Sequence, residues 1–268
     1  MNEENLLFAF ALTTLAGLST AIGAGIAFFA KKTDTKLLST AMGFSAGVMI
    51  YISFVEMLSE GFNSVGHVLG EDVAGWIVCG SFFGGMLVTA LIDKLIPSFE
   101  NPHEFHDGPE PPPEEQKYKH LYRMGIFTAL AIGIHNFPEG IATFMGSMKD
   151  INLGISIAVA VAIHNIPEGI AVSTPIYYAT GNKRKAFFYS VLSGLAEPVG
   201  ALVGYLLLRN FLSDVLMGVV FAFIAGIMVF ISFDQLLPAA QKFGSHHRAL
   251  YGLIGGMVVM ALSLLIGG

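Results

Sequence analysis

The chain has little charge and only one cysteine to work with. Of its 268 residues only 13% are charged, against 54% hydrophobic, a balance that excludes an ordinary soluble domain. The single cysteine, Cys79, excludes a disulfide framework. The formal net charge of −6 suggests no nucleic-acid partner. No nucleotide-binding motif is present, which argues against ATP-driven work. No basic stretch precedes the first apolar run. Glu3 and Glu4 stand there instead, so that run reads as a retained span rather than a cleaved signal.

What the chain does have is length of apolar sequence. The runs are long enough to cross a bilayer and are continuous rather than alternating, which favours helices over a barrel. Eight spans are expected, at about 5–30, 37–59, 73–96, 122–146, 152–177, 185–209, 214–238 and 248–267. The expected fold is therefore an all-α integral membrane protein, one transporter-like domain over residues 1–268. Glycine is abundant, at 31 residues, as in membrane helices that pack closely. Basic residues set the orientation. With an outside N-terminus, the inner loops hold twelve of the fourteen Lys and Arg residues, and the outer side only Lys149 and Arg209. Both termini are thus expected outside. The one polar insertion, 98–120, is rich in Pro and acidic residues and reads as an extended cytoplasmic loop. Its His103 and His106 offer a loose metal site at most, because no cysteine accompanies them.

One string occurs twice. Residues 135–142 read His-Asn-Phe-Pro-Glu-Gly-Ile-Ala, and residues 164–171 read His-Asn-Ile-Pro-Glu-Gly-Ile-Ala. In each copy the His and Glu are four apart, about 40° around a helix, so they share a face. Both copies lie roughly fourteen residues, or about 21 Å of helix, from the outer turn near 148–151. Glu197 in span six falls at a similar depth, counted from the inner turn near 181–182. Three helices thus carry His135, Asn136, Glu139, His164, Asn165, Glu168 and Glu197 to one layer near mid-membrane. Pro138, Pro167 and Pro198 free the carbonyls of Ile134, Ile163 and Gly194 beside the acidic side chains. Gly140 and Gly169 leave room for another backbone.

Carboxylates and imidazoles are costly in hydrocarbon, at about 2.5–3.5 kcal/mol for a charged side chain at the bilayer centre. A divalent cation offsets that cost. Mixed His, Glu and Asn ligands without thiolate suit Zn²⁺, Fe²⁺, Mn²⁺ or Co²⁺, while imidazole argues against Mg²⁺ and Ca²⁺. Glu139 and Glu168 are placed to bridge two ions.

A second echo supports inversion. Phe44-x-Ala46-Gly47-x-Met49-x-x-Ile52-Ser53-Phe54 recurs as Phe223-x-Ala225-Gly226-x-Met228-x-x-Ile231-Ser232-Phe233, in spans that run in opposite directions. With the doubled motif this suggests a 3+2+3 inverted repeat, a recurring plan in secondary transporters. Ser53, Glu56 and Glu60, at i, i+3 and i+7 near the outer end of span two, form a candidate entrance. Asp234 and Gln235, beside Ser232 near the inner end of span seven, form a candidate exit.

These residues resemble the ZIP (Zrt-, Irt-like protein) metal transporters over nearly the whole chain: eight spans, outside termini, a His-bearing loop after span three and the doubled motif. The resemblance implies uptake into the cytoplasm of Zn²⁺ and of other divalent metals such as Fe²⁺, Mn²⁺, Co²⁺ and Cd²⁺. It also implies a site for two ions in spans four to six, in a bacterial plasma membrane and with no further cofactor. By position, the implied ligands are His135, Asn136, Glu139, His164, Asn165, Glu168 and Glu197. The implied outer gate falls near Ser53 and Glu60. The partners are metal ions and the lipid bilayer, and a homodimer is compatible with the pattern. Two other readings compete. An intramembrane metal-dependent hydrolase would hold zinc to activate water, but the zincin string His-Glu-x-x-His is absent. A metal sensor without flux would not need polar residues at both membrane faces.

Overall fold

The structure, a computed structural model, describes residues 3–28, 35–95, 114–208 and 213–267. Among them every regular element is helical. The helices are α1 (Glu3–Ala27), α2 (Thr35–Ile52), α3 (Leu58–Leu69), α4 (Glu71–Leu95), α5 (Glu114–Lys149), α6 (Ile151–Thr180), α7 (Lys183–Gly194), α8 (Ala196–Leu208), α9 (Asp214–Ile231), α10 (Leu237–Phe243) and α11 (His246–Gly267). Seven rods among the described residues are long and apolar enough to cross a membrane. Three of these are composite: α2 runs through a π-helical turn (Ser53–Met57) into α3, and α9 through another (Ser232–Leu236) into α10. α7 and α8 form a third composite rod, interrupted at Leu195. α5 is not among the seven.

Two boundaries differ from the sequence expectation. α5 begins at Glu114, inside the stretch expected as loop up to 120. Past the last of Pro111–Pro113 the sequence is Glu-Glu-Gln-Lys-Tyr-Lys-His, mostly strong helix formers. His103 and His106 lie outside the described residues. The second difference is the pair of π-helical turns. They fall on the same positions of the repeated string, each starting at its serine, and Ser53 and Ser232 each donate to the carbonyl four residues back, at 2.7 Å. Such turns are rare and cluster at functional sites.

Ends are sealed by caps. Asp150, Asn182 and Ser213 accept from Leu153 N, Lys185 N and Leu216 N at the starts of α6, α7 and α9. Gly181 closes α6 in the left-handed conformation, φ 65°. Within the rods, hydroxyls of Thr13, Thr89, Ser147 and Ser173 donate to carbonyls of their own helix, so they carry no unpaired donor into the apolar interior.

α6 lies at the centre, packed against α1, α5, α2 and α7. α4 and α11 are peripheral and turn large apolar side chains outward, among them Trp76 and Leu265. The rods meet backbone to backbone. A Cβ on Gly47 would stand 2.0 Å from the Leu253 carbonyl, and one on Gly256 2.1 Å from the Phe44 carbonyl. The same pattern joins Gly226 to the Phe82 carbonyl and Gly85 to the Phe223 carbonyl. Since Phe44 and Gly47 are the repeat counterparts of Phe223 and Gly226, α2 meets α11 as α9 meets α4. Gly84-Gly85-Met86 and Gly255-Gly256-Met257 supply the matching halves.

Candidate metal site

The two motif helices are each clasped by one neighbour through a pair of close approaches. Gly140 faces the Glu197 carbonyl and Gly200 faces the Phe137 carbonyl, binding α5 to α8. Gly169 faces the Thr20 carbonyl and Gly23 faces the Ile166 carbonyl, binding α6 to α1. In each case an added Cβ would come within 2.0 Å of the facing oxygen. Gly17 and Gly194 face one another's carbonyls. The sequence carries the matching signal, Gly17-Leu18 and Gly23 against Gly194-Leu195 and Gly200, which the reading of spans one and six passed over.

This clasp sinks the polar side chains. Asn136, Glu139, His164, Asn165, Glu168 and Glu197 are all fully buried. His135 sits one residue before Asn136 on α5, and its side chain lies outside the described residues. His164 Nε2 and Glu139 Oε2 are 3.2 Å apart, a contact across the two motifs. Asn165 donates from Nδ2 to Glu197 Oε1 and to the Ala16 carbonyl, the latter at 3.0 Å. Asn136 donates likewise to the Ser193 carbonyl at 3.3 Å. Ala16 and Ser193 stand just before the paired Gly17 and Gly194, so each motif amide is anchored by the equivalent carbonyl. Glu168 lies near enough to His164 and Glu197 for their charges to interact.

The anchoring uses the amide nitrogens and leaves oxygens over. Asn136 Oδ1, Glu139 Oε1, Asn165 Oδ1 and Glu197 Oε2 are buried with no hydrogen-bond partner among the described residues. Buried oxygens of this kind are costly unless something is bound to them. All four are donors of electron pairs, and the set is oxygen and imidazole without sulfur, which is chemistry for a divalent transition metal. Among the described residues no three His, Cys, Asp or Glu side chains close on one point as a ready ligand set. The acids are engaged in pairs instead, Glu139 with His164 and Glu197 with Asn165.

The residues expected at the two mouths divide differently. Ser53 and Ser232 are fully buried, and their hydroxyls are engaged within their own helices. The π-helical turn breaks the α-helical spacing that would have put Ser53 on one face with Glu56 and Glu60. Glu56 and Glu60 are half-buried and near each other. Glu60 takes the Lys149 ammonium, which also donates to Ser64 Oγ at 2.7 Å. Ser64 Oγ in turn donates to Glu60 Oε1 at 2.8 Å. At the other end Asp234 faces Asp93, while Gln235 and Asp93 line a cavity of about 230 Å³ that reaches Phe137 and Pro138 beside Glu139. Lys149, Ser64 and Asp93 did not emerge from the sequence. Ser64 stands four residues after Glu60 on α3, so the stripe of Ser53, Glu56 and Glu60 could have been followed one turn further, whereas Lys149 at the end of α5 and Asp93 on α4 are joined to the mouths only by the packing of different rods.

Apolar rods of membrane length, clasped glycine to carbonyl around buried acids, amides and imidazole, define an all-helical multi-pass membrane protein with a polar heart. Its donor set is suited to a metal ion. The family model for the ZIP zinc transporters matches residues 98–264. The chain is 60% identical to the zinc transporter ZupT of Lysinibacillus sphaericus, over 98% of this chain and 99% of that protein. It is 55% identical to that of Clostridium perfringens, over 99% and 98%, and 54% identical to that of Streptococcus mutans, over 98% and 99%. The chain belongs to the ZIP family, a family of transporters rather than enzymes.

Proposed function

We propose that the chain carries Zn²⁺ into the bacterial cytoplasm across the plasma membrane, and that Fe²⁺, Mn²⁺, Co²⁺ and Cd²⁺ follow the same route. The ligands are His135, Asn136, Glu139, His164, Asn165, Glu168 and Glu197, enough for two ions bridged by Glu139 and Glu168. The observation that carries this reading is the set of four buried oxygens on the two motifs and on Glu197 that lack a protein donor. Entry of the ion separates Glu139 from His164 and Glu197 from Asn165, so that protein contacts give way to metal contacts of the same groups. The ion is held without bare charge in the membrane, and its release restores the protein pairs. Binding and release therefore exchange similar interactions, which suits transport better than storage.

The eighth span is the apolar part of α5, and both termini lie outside. The fold is then a 3+2+3 inverted repeat, supported by the paired π-helical turns and by the glycine–carbonyl contacts that recur on both sides. The cavity running from Asp93 and Gln235 to Pro138 supports an inner exit. The Lys149 ammonium on Glu60 and Ser64 supports an outer mouth that accepts cations and is shut by one of the protein's own. Alternating access moves α5 and α6, with Lys149 at their outer turn, against the rods formed by α2–α3 and α9–α10. Uptake into zinc-indicator-loaded proteoliposomes, with competing ions and imposed pH gradients, tests this function. Indicator response that requires the protein and is suppressed by the other divalent transition metals is expected. No response above protein-free vesicles would refute it.

A further inference from the structure

α5 and α8 are in backbone contact at Gly140 and Gly200, but α5 and α7 are not closed against each other along their length. Between them lies a cavity of about 620 Å³, walled by Ile126, Ala129, Leu130, Ile134, Phe137 and Leu192. That is within the size range of sites for small molecules, roughly 300–1,000 Å³. Its wall is almost wholly apolar, and Leu130 and Leu192 are exposed, so the cavity opens toward lipid.

Its two ends differ. At one end Tyr189, a wall residue, has its hydroxyl 3.5 Å from that of Tyr122. Lys185 Nζ stands 4.2 Å from the centroid of the Tyr122 ring. Lys185 closes the run Lys183-Arg184-Lys185 at the start of α7. Lys183 is turned away, toward Phe28 and Tyr177. At the other end the wall includes Ser193, whose carbonyl receives Asn136, and Phe137 and Ala196, neighbours of Asn136 and Glu197. An apolar channel thus leads from a cation with two hydroxyls to the back of the polar cluster.

We propose that this cavity binds one anionic phospholipid, its phosphate at Lys185 with the Tyr122 and Tyr189 hydroxyls and one acyl chain lying along α5 to Phe137. The chemistry is complementary at both ends. Basic groups between membrane helices attract anionic headgroups, tyrosine hydroxyls sit well at the interface, and the wall offers an acyl chain no polar atom to strand. The occupied cavity braces the Ser193 carbonyl that anchors Asn136, so lipid composition bears on the site without touching the ion. This proposal rests on the membrane fold and not on the choice of metal.

Native mass spectrometry of the purified full chain tests it, with phosphatidylglycerol and phosphatidylcholine of identical acyl chains added in turn. One phosphatidylglycerol should survive activation that strips phosphatidylcholine. Lys185→Gln should reduce that preference about fivefold, the expected effect of removing one cation near a phosphate. Leu130→Trp, at an exposed wall position, should reduce retention of both lipids without disturbing the core. Equal retention of the two lipids by the wild type would overturn the proposal. So would wild-type retention of phosphatidylglycerol by both variants, or a dimer mass that replaces the lipid-bound monomer.

Discussion

Gly140→Ala asks whether the clasp positions the site. The added Cβ would lie 2.0 Å from the Glu197 carbonyl, 2.6 Å from its carbonyl carbon and 2.6 Å from its Cα. Ordinary contact starts at 3.4 Å, and all three atoms are backbone, so no rotamer change relieves the clash. α8 must retreat by about 1 Å or more. Overpacking of this kind costs about 1–3 kcal/mol of stability. Binding suffers as well, because metal–ligand distances tolerate only about 0.2 Å. Glu197 leaves the site, and zinc affinity falls by about tenfold or more. Gly25→Ala is the control, with nothing within 4 Å of the added Cβ, and should change stability by under about 1 kcal/mol. Zinc titration by calorimetry, with thermal unfolding of the same samples, reads both effects. Wild-type affinity in Gly140→Ala would refute the claim that this contact places Glu197.

Other perturbations follow from the same geometry. Asn165→Ala removes both the donor to Glu197 and a proposed ligand, and should weaken zinc binding about tenfold or more, whereas unchanged calorimetric affinity would remove Asn165 from the site. Metal must displace protons from imidazole and carboxylate, so zinc affinity should fall as pH drops toward about 6.5 and below; a flat titration from neutral to mildly acidic pH would contradict imidazole ligation. Lys149→Met frees Glu60 and Ser64 from a part-exposed ion pair of modest strength, and should raise initial uptake at low zinc by up to about fivefold; uptake at or below the wild-type rate would show that Lys149 does not shut the outer mouth. A short cleavable thiol crosslink between Glu60→Cys and Lys149→Cys, in a Cys79→Ser background, should stop uptake until it is cleaved. Uptake at the uncrosslinked rate would mean that the α5–α6 turn does not move past α3.

The shared depth of the motif side chains was legible because the motif is doubled and because depth can be counted along a helix at a fixed rise per residue. Six of the seven proposed ligand side chains are described, and all six are buried together. The roles of Gly140 and Gly169 were legible for a similar reason, since glycine beside a polar motif points to a close approach. Which atoms face those glycines was not legible, because they are backbone carbonyls of Thr20 and Glu197 and a carbonyl leaves no trace in the residue code; only the spacing of Gly17 and Gly23, matched by Gly194 and Gly200, marks the two partner helices. The anchoring of Asn136 by Ser193 and of Asn165 by Ala16 was hidden for the same reason. The repeat was visible in the two Phe-x-Ala-Gly strings but not in α1 against α8, where Thr20 occupies the position matching Glu197 and breaks the likeness. The π-helical turns were invisible, since nothing in Ser-Phe-Val-Glu-Met or Ser-Phe-Asp-Gln-Leu demands them. They are what moved Ser53 off the face shared by Glu56 and Glu60.

The central claim is that zinc passes through a site built from both copies of the motif. Zinc uptake by proteoliposomes holding equal amounts of wild type, Glu139→Ala and Glu168→Ala tests it most directly, with helical content and monodispersity checked for each. Both variants should remain folded and lose nearly all flux. Wild-type uptake by both variants would contradict the account.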